Sequence, residues 1–152
     1  MRRAKKHYSR PKKPFDKARI EEEKQLMKKY GLKNKKEIWK AEYEINKIRA
    51  QAKKLILEPE KQEQFFARLA KLGLIEKGAT LDDVLALSKE KWLDRRLQTL
   101  VFAKGLAKTP REARQLIVHG HIMVDNRVVR YPSFIVPINL ENKIKNKLSV
   151  KK

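Results

Sequence analysis

The sequence predicts an α+β chain: a helical N-terminal part with a basic tail, then a small module of two helices packed on a short, antiparallel-rich sheet. Three observations lead there. Apolar residues recur at helical spacing through about the first ninety positions. Strand signals begin only after Gly120. Between them, Thr109 to Ser133 (TPREARQLIVHGHIMVDNRVVRYPS) spells a capped short helix, a tight exit and a β-hairpin. That stretch keeps Arg111, Arg114, Gln115, His119 and His121 on its polar face.

Taken in order, residues 2 to 19 hold nine Lys/Arg and one acid, Asp16, with Pro11 and Pro14 among them. Such a segment cannot pack a core and is expected to be extended in isolation. Asp16 suits a helix N-cap, with Phe15 and Ile20 spaced for a hydrophobic staple, and Gly31 suits the exit. Asn34 followed by Glu37 reads as a capping box for the next helix. Its apolar stripe, Ile38, Ala41, Ile45, Ile48, Ala52 and Leu55, is narrow and too short for a coiled coil. Pro59 suits the first position of a third helix carrying Phe65, Phe66, Leu69 and Leu72 before Gly73. Thr80 with Asp83 marks a further start, which also accounts for the Asp82-Asp83 pair without any catalytic role. Ser88 caps a helix expected to carry Trp92, Leu93, Leu97, Leu100 and Val101 to Gly105. Trp39, Phe65, Phe66 and Trp92 read as packing residues.

Thr109-Pro110-Arg111-Glu112 combines a hydroxyl cap, Pro at the first helical position and an acid at the third. Ala113, Leu116 and Ile117 then face inward and the helix ends at Gly120. Ile122 and Val124 alternate with His121 and Met123, Asp125-Asn126 supplies a two-residue turn, and Val128-Val129 returns. Phe134 to Val136 is expected to add another strand beyond Pro132.

Composition sets the surface chemistry. The 152 residues include 39 Lys/Arg and 18 Asp/Glu, a net charge of +21. Self-repulsion of that size favours an anionic polymer as partner, and nucleic acid rewards each bound cation by counterion release. A membrane surface is the rival, but the basic residues are spread over many elements rather than one amphipathic face. With no cysteine and three histidines, neither a disulfide nor a metal centre is expected, and no cofactor or catalytic group is read. The N-terminus lacks an apolar signal region and no apolar run approaches about 20 residues, so a cytoplasmic protein is expected.

Ala-Arg-Gln-Leu-Ile before His-Gly-His, with the Val–turn–Arg hairpin and Pro-Ser after it, resembles the S-four RNA-binding domain. Phe15 to Arg19, Tyr30-Gly31-Leu32, Lys35-Lys36-Glu37-Ile38-Trp39 and Arg95-Arg96-Leu97-Gln98-Thr99-Leu100 extend the likeness. Together they resemble the S-four family of small-subunit ribosomal proteins, in its archaeal and eukaryotic branch. The resemblance implies a primary rRNA-binding protein that binds a multi-helix junction of the 5′ domain. It implies help in nucleating assembly of the subunit body, a place beside ribosomal protein S-five and near the path by which messenger RNA enters, and an influence on decoding accuracy. The implied RNA face comprises Arg95, Arg96, Lys104, Arg111, Arg114, Gln115, His119, His121, Arg127 and Arg130. The tail is expected to add Arg2, Arg3, Lys5, Lys6, Arg10, Lys12 and Lys13. The expected divisions are a tail (1–16), a helical domain (17–90), the RNA-binding module (91–138) and a basic C-terminal tail (139–152).

Bacterial members often carry Asp where this chain has Gln98, Asn-Gly where it has Asp125-Asn126, and an N-terminal cysteine zinc site that this chain cannot form. Folded RNA is read largely by shape, phosphate and 2′-hydroxyl contacts, and the arginine fork suits phosphate oxygens. An RNA-modifying or tRNA-charging enzyme using the same module would need a catalytic domain, for which no phosphate loop or metal cluster appears. A free-standing RNA chaperone would not share the N-terminal segments.

Overall fold

The computed structural model describes residues 6–76 and 78–147. Helices α1 (Lys17–Tyr30) and α2 (Lys35–Leu55) are joined by the turn at 31–34 and pack on each other. Their contact buries Leu26, Tyr30 and Leu32 against Ile38 and Ala41, with Leu93 closing the cluster. The apolar stripe then runs down α2 into a second cluster. There Ile45, Ile48 and Ala52 meet Phe65 and Leu69 of α3 (Gln62–Lys71) and Val84 of α4 (Leu81–Leu85). Trp92 of α5 (Lys89–Asp94) touches both clusters, so one long helix and one indole tie the helical part together.

The third cluster belongs to the C-terminal module. It packs α6 (Leu97–Ala103) and α7 (Pro110–Val118) through Leu97, Val101, Ala113 and Ile117 onto Ile122, Val124, Val136 and Ile144. The sheet has the order β2-β1-β3, antiparallel throughout, from β1 (Ile122–Val124), β2 (Arg127–Val128) and β3 (Ile144–Asn146). Asp125 and Asn126 take φ angles of 51° and 64°, as a type I′ turn requires.

Several local expectations change. Phe15 is 91% exposed, so it forms no staple with Ile20. Neither Asp16 nor Asn34 makes a side-chain cap bond. Arg19 sets the entry to α1 instead, its Nη2 donating to the Pro14 carbonyl at 3.1 Å. Pro59 opens a 3-10 turn (Pro59–Lys61) leading into α3 rather than α3 itself. Thr80 and Asp83 do form the expected reciprocal start, with Thr80 N donating to Asp83 Oδ2 at 2.8 Å.

Two corrections matter more. The helix expected from Ser88 to Gly105 breaks at Arg95-Arg96 into α5 and α6. Arg96 is extended there (φ −72°, ψ 143°), which frees backbone groups that pair with 134–136: Leu97 N donates to Phe134 O at 2.7 Å and Val136 N to Arg95 O at 3.0 Å. Phe134 to Val136 therefore makes an isolated bridge to Arg96 instead of a sheet strand. The third strand is 144–146, from the segment grouped with the C-terminal tail, and it follows the short helix α8 (Ile138–Glu141). Its Lys-Ile-Lys-Asn-Lys alternation puts Ile144 into the core and Lys145 outside.

Gly31 closes α1 in the left-handed region (φ 60°) and lies against the start of α7. A Cβ there would sit 2.8 Å from Pro110 Cβ and 3.0 Å from its carbonyl carbon. Gly105 has a similar φ, 70°, but open space around it. Gly31→Ala is expected to lower stability by about 2–4 kcal/mol and Gly105→Ala by about 1–2 kcal/mol, measured by chemical denaturation. Equal losses would mean that the α1–α7 approach is slack.

Candidate nucleic-acid interface

The outer face of the module is built from the start of α7 onward. Thr109 Oγ1 accepts from Glu112 N at 3.1 Å, and Glu112 Oε2 accepts from Lys108 N at 2.6 Å. Both bonds hold the first turn with its apolar side on the sheet. Arg111, Gln115 and His119 then follow at steps of four and are exposed. Gly120, at φ 76°, reverses the chain so that His119 and His121 flank it, their rings stacked at 6.4 Å and 11° between planes. Arg130 crosses the same glycine: a Cβ at Gly120 would lie 3.2 Å from its Nε. Two imidazoles and a guanidinium thus gather around one bare backbone position.

The sheet continues this face. Ile122 and Val124 point into the core, so Met123 lies on the opposite side, with Val128 and Lys145 as its register partners. Lys143 is fixed to the hairpin tip by Asp125 at 2.8 Å. Lys104, Arg111, Arg127 and Arg130 are exposed, and among the described residues none has an ion-pair partner. Lys145 is a residue that sequence reasoning missed. The period-two pattern of 143–147 was the signal that could have found it.

Three of the expected RNA-face arginines turn inward. Arg96 is 5% exposed, and its Nη2 donates to Glu37 Oε2 at 2.6 Å. Arg114 Nη1 donates to Glu37 Oε1 at 3.0 Å and reaches Gln98 Oε1 at 3.4 Å. Arg95 passes over Gly73 and donates to Glu141 Oε2 and to the Val136 carbonyl, both at 2.7 Å. The break between α5 and α6 puts Arg96 on the seam between helical part and module, where Glu37 supplies the nearest counter-charge. Arg114 lies on the α7 flank that faces α2.

Gln98, 1% exposed, completes the seam. Its Nε2 donates to the carbonyls of Tyr30 (3.0 Å), Gly31 (3.0 Å) and Pro110 (2.9 Å). Three acceptors converge on one amide, an arrangement closed to the carboxylate expected in bacterial relatives, which has no hydrogen to donate. Burial pushes the Glu37 carboxyl upward, but the hydrogen bonds and charges of Arg96 and Arg114 outweigh it and leave it below the ordinary value of 4.5. Glu23, buried in α1, is held the same way: burial raises it, and Trp39 Nε1 (2.9 Å), Lys35 and Arg19 bring it below 4.5.

Part of the N-terminal tail lies along α2. Tyr8 stacks on Trp39 at 6.3 Å and His7 meets Tyr43 edge-on at 6.1 Å. Lys6, Arg10, Lys12 and Lys13 are exposed beside this anchor, whereas Arg2, Arg3 and Lys5 fall outside the described residues. Among the described residues, no group of three or more His, Asp or Glu side chains is placed to hold a metal ion, and no helix is long and apolar enough to cross a membrane.

Residues 95–142 match the S4 domain. Over 149 residues the chain is 50% identical to the small ribosomal subunit protein uS4 of Methanococcus aeolicus, covering 94% of this chain and 84% of that protein. It is 47% identical over 148 residues to the protein of the same name from Korarchaeum cryptofilum, covering 95% and 89% of the two chains. With that of Methanothermobacter thermautotrophicus it shares 45% over 148 residues, covering 94% and 86%.

Glu37 and Glu23 have lowered values in the fold, so the stability they contribute is complete above 4.5 and is lost as pH falls through those lowered values. Wild-type stability is expected to drop as pH falls below 4.5, and Glu37→Gln to flatten that drop while lowering stability at neutral pH. Denaturant midpoints across this range measure it. An unchanged slope in the Gln variant would contradict the assignment.

Proposed function

The chain belongs to the uS4 family of small ribosomal subunit proteins, and we propose that it is a structural constituent of that subunit which binds small-subunit rRNA directly. In this reading it performs no chemistry of its own. Its task is to bind early, help nucleate assembly of the subunit body, and hold RNA in a geometry that supports accurate decoding. The observation that carries the reading is the division of the cations. Arg95, Arg96 and Arg114 are engaged by carboxylates and carbonyls within the fold. Lys104, Arg111, Arg127, Arg130 and Lys145 stand on the outer face with Gln115 and the His119–His121 pair among them. Unpaired cations on a rigid scaffold, interleaved with neutral donors, suit a phosphate backbone better than a base code.

The inward arginines act in this reading as positioning groups, with Arg114, about a quarter exposed, at the edge of the RNA face. The aromatic anchor of the tail directs Lys6, Arg10, Lys12 and Lys13 toward the same polymer. The working division keeps a tail (1–16), a helical domain (17–90) and a module from 91, with strand β3 added to it from the C-terminal segment. Neighbouring ribosomal proteins, S-five first among them, and messenger RNA near the path by which it enters are the further partners we assign. The setting is the cytoplasmic ribosome.

Titration of the full chain with a small-subunit rRNA fragment tests the reading. Arg111→Ala and Arg130→Ala are each expected to weaken binding by about 1–2 kcal/mol. Each is also expected to reduce the slope of log K against log salt by about one. Lys53→Ala on the far part of α2 serves as control. A flat salt response of the wild type, or losses no larger than the control's, would refute it.

A further inference from the structure

Helix α3 carries two apolar sides where a surface helix ordinarily carries one. Phe65 and Leu69 enter the core of the helical part. Glu63, Phe66, Ala67 and Ala70 share the neighbouring side, which borders a long groove. The groove comprises a cleft of about 1400 Å³ and a smaller one of about 480 Å³, with Ala67, Ala70, Glu76 and Ala79 lining both. We propose that this groove docks a segment of a partner protein in which apolar side chains are flanked by lysine or arginine. The inference rests on the ribosomal reading, in which other proteins surround the chain. It concerns a surface outside the RNA face, since no described residue of α7 or of the sheet lines the groove.

The walls are suited to side chains rather than to phosphate. Ala67 is exposed, Ile138 of α8 is 49% exposed, and Phe66 and Ile75 are only partly covered by the core. Ile138 closes the far end above Gly73, where a Cβ would lie 3.1 Å from its Cγ1. Exposed apolar surface rimmed by polar groups is characteristic of protein contacts. The larger cleft also exceeds the range of about 300–1000 Å³ usual for small-molecule sites, so a peptide segment fits it better than a metabolite.

Charge selects the kind of segment. Four acids and three cations line the groove among the described residues, in a chain with 18 acids and 39 cations overall. Arg95 and Glu141 satisfy each other, and Asp83 is held by Thr80. Glu63 and Glu76 are exposed and have no ion-pair or hydrogen-bond partner among the described residues. Both line the smaller cleft, whose described lining contains no cation. A lysine or arginine entering there relieves the repulsion between the two carboxylates, whereas a phosphate would add to it. A second copy of this chain is disfavoured by its own charge of +21.

The test uses the full chain with the photo-crosslinking substitution Ala67→p-benzoylphenylalanine, assembled into small ribosomal subunits. Illumination is expected to join it to a protein segment in which lysine or arginine flanks apolar residues, identified by mass spectrometry of the crosslinked peptides. Adding Glu63→Lys/Glu76→Lys is expected to lower that yield about tenfold, while Glu21→Lys/Glu42→Lys, an equal change of charge on α1 and α2, lowers it under about threefold. All four glutamates are exposed, and unchanged denaturation midpoints confirm that the variants fold. A chain that does not enter subunits overturns the ribosomal reading and the docking assignment with it. Entry with crosslinks chiefly to rRNA, to a second copy of the chain, or to nothing overturns the docking assignment alone. So does a charge-reversed variant that crosslinks as well as its control.

Discussion

The Gln98 amide and the Glu37 carboxylate share one seam, and the arrangement of both halves depends on them. Gln98 gathers carbonyls from the end of α1 and the start of α7 onto a single nitrogen. Glu37 draws Arg96 and Arg114 of the module onto the start of α2. Each group is largely buried, so losing one partner leaves the others desolvated and unpaired, which is more costly than the bond itself is stabilising. The three apolar clusters are individually small, and small cores are marginal alone. Polar bonds that fix one relative orientation convert them into a single scaffold. Gly31 allows the close approach, because any side chain there would strike Pro110.

A second joint repeats the logic at the other end. Arg95 crosses Gly73, where a Cβ would lie 2.9 Å from its Cζ, and binds both Glu141 and the Val136 carbonyl. The end of α3, the break before α6 and helix α8 are thereby held by one guanidinium. Buried or half-buried ion pairs contribute little net stability, but their geometry selects one packing over its alternatives. In a chain of net charge +21 they have another consequence. Acids at the seams, Glu23, Glu37 and Glu141, neutralise cations inside and leave the outer face of the module almost wholly basic.

Much of this was legible in the sequence. The stripe of α2, the capped start of α7, Gly120 and the Asp125-Asn126 turn all fold as their periodicity and turn chemistry dictate, because each is set by residues within a few positions. What was illegible is tertiary. The break at Arg95-Arg96 carries no proline or glycine; it exists because residues 134–136, distant in sequence, offer backbone partners. Strand β3 hid in a lysine-rich segment where charge masked a two-residue period. Glu37 had the spacing of a capping residue and was taken over by arginines 59 and 77 positions away.

Three of the candidate arginines have partners within the fold for a related reason. Arginine in a basic chain invites assignment to phosphate, yet the property that suits it to phosphate, a planar fork of five donors, also suits it to carboxylates and carbonyls at a joint. Arg95 and Arg96 each reach a carboxylate, and Arg95 a carbonyl as well, a geometry the point charge of lysine cannot reproduce. Lysine at such a joint would satisfy fewer acceptors and retain more hydration. Lysines near the seam accordingly stay exposed, as Lys36 and Lys40 do. In a protein of this composition, an arginine beside a helix break or a buried acid has an architectural partner within reach as well as any phosphate. The lysines and the arginines of well-capped, uninterrupted elements are then the first candidates for RNA.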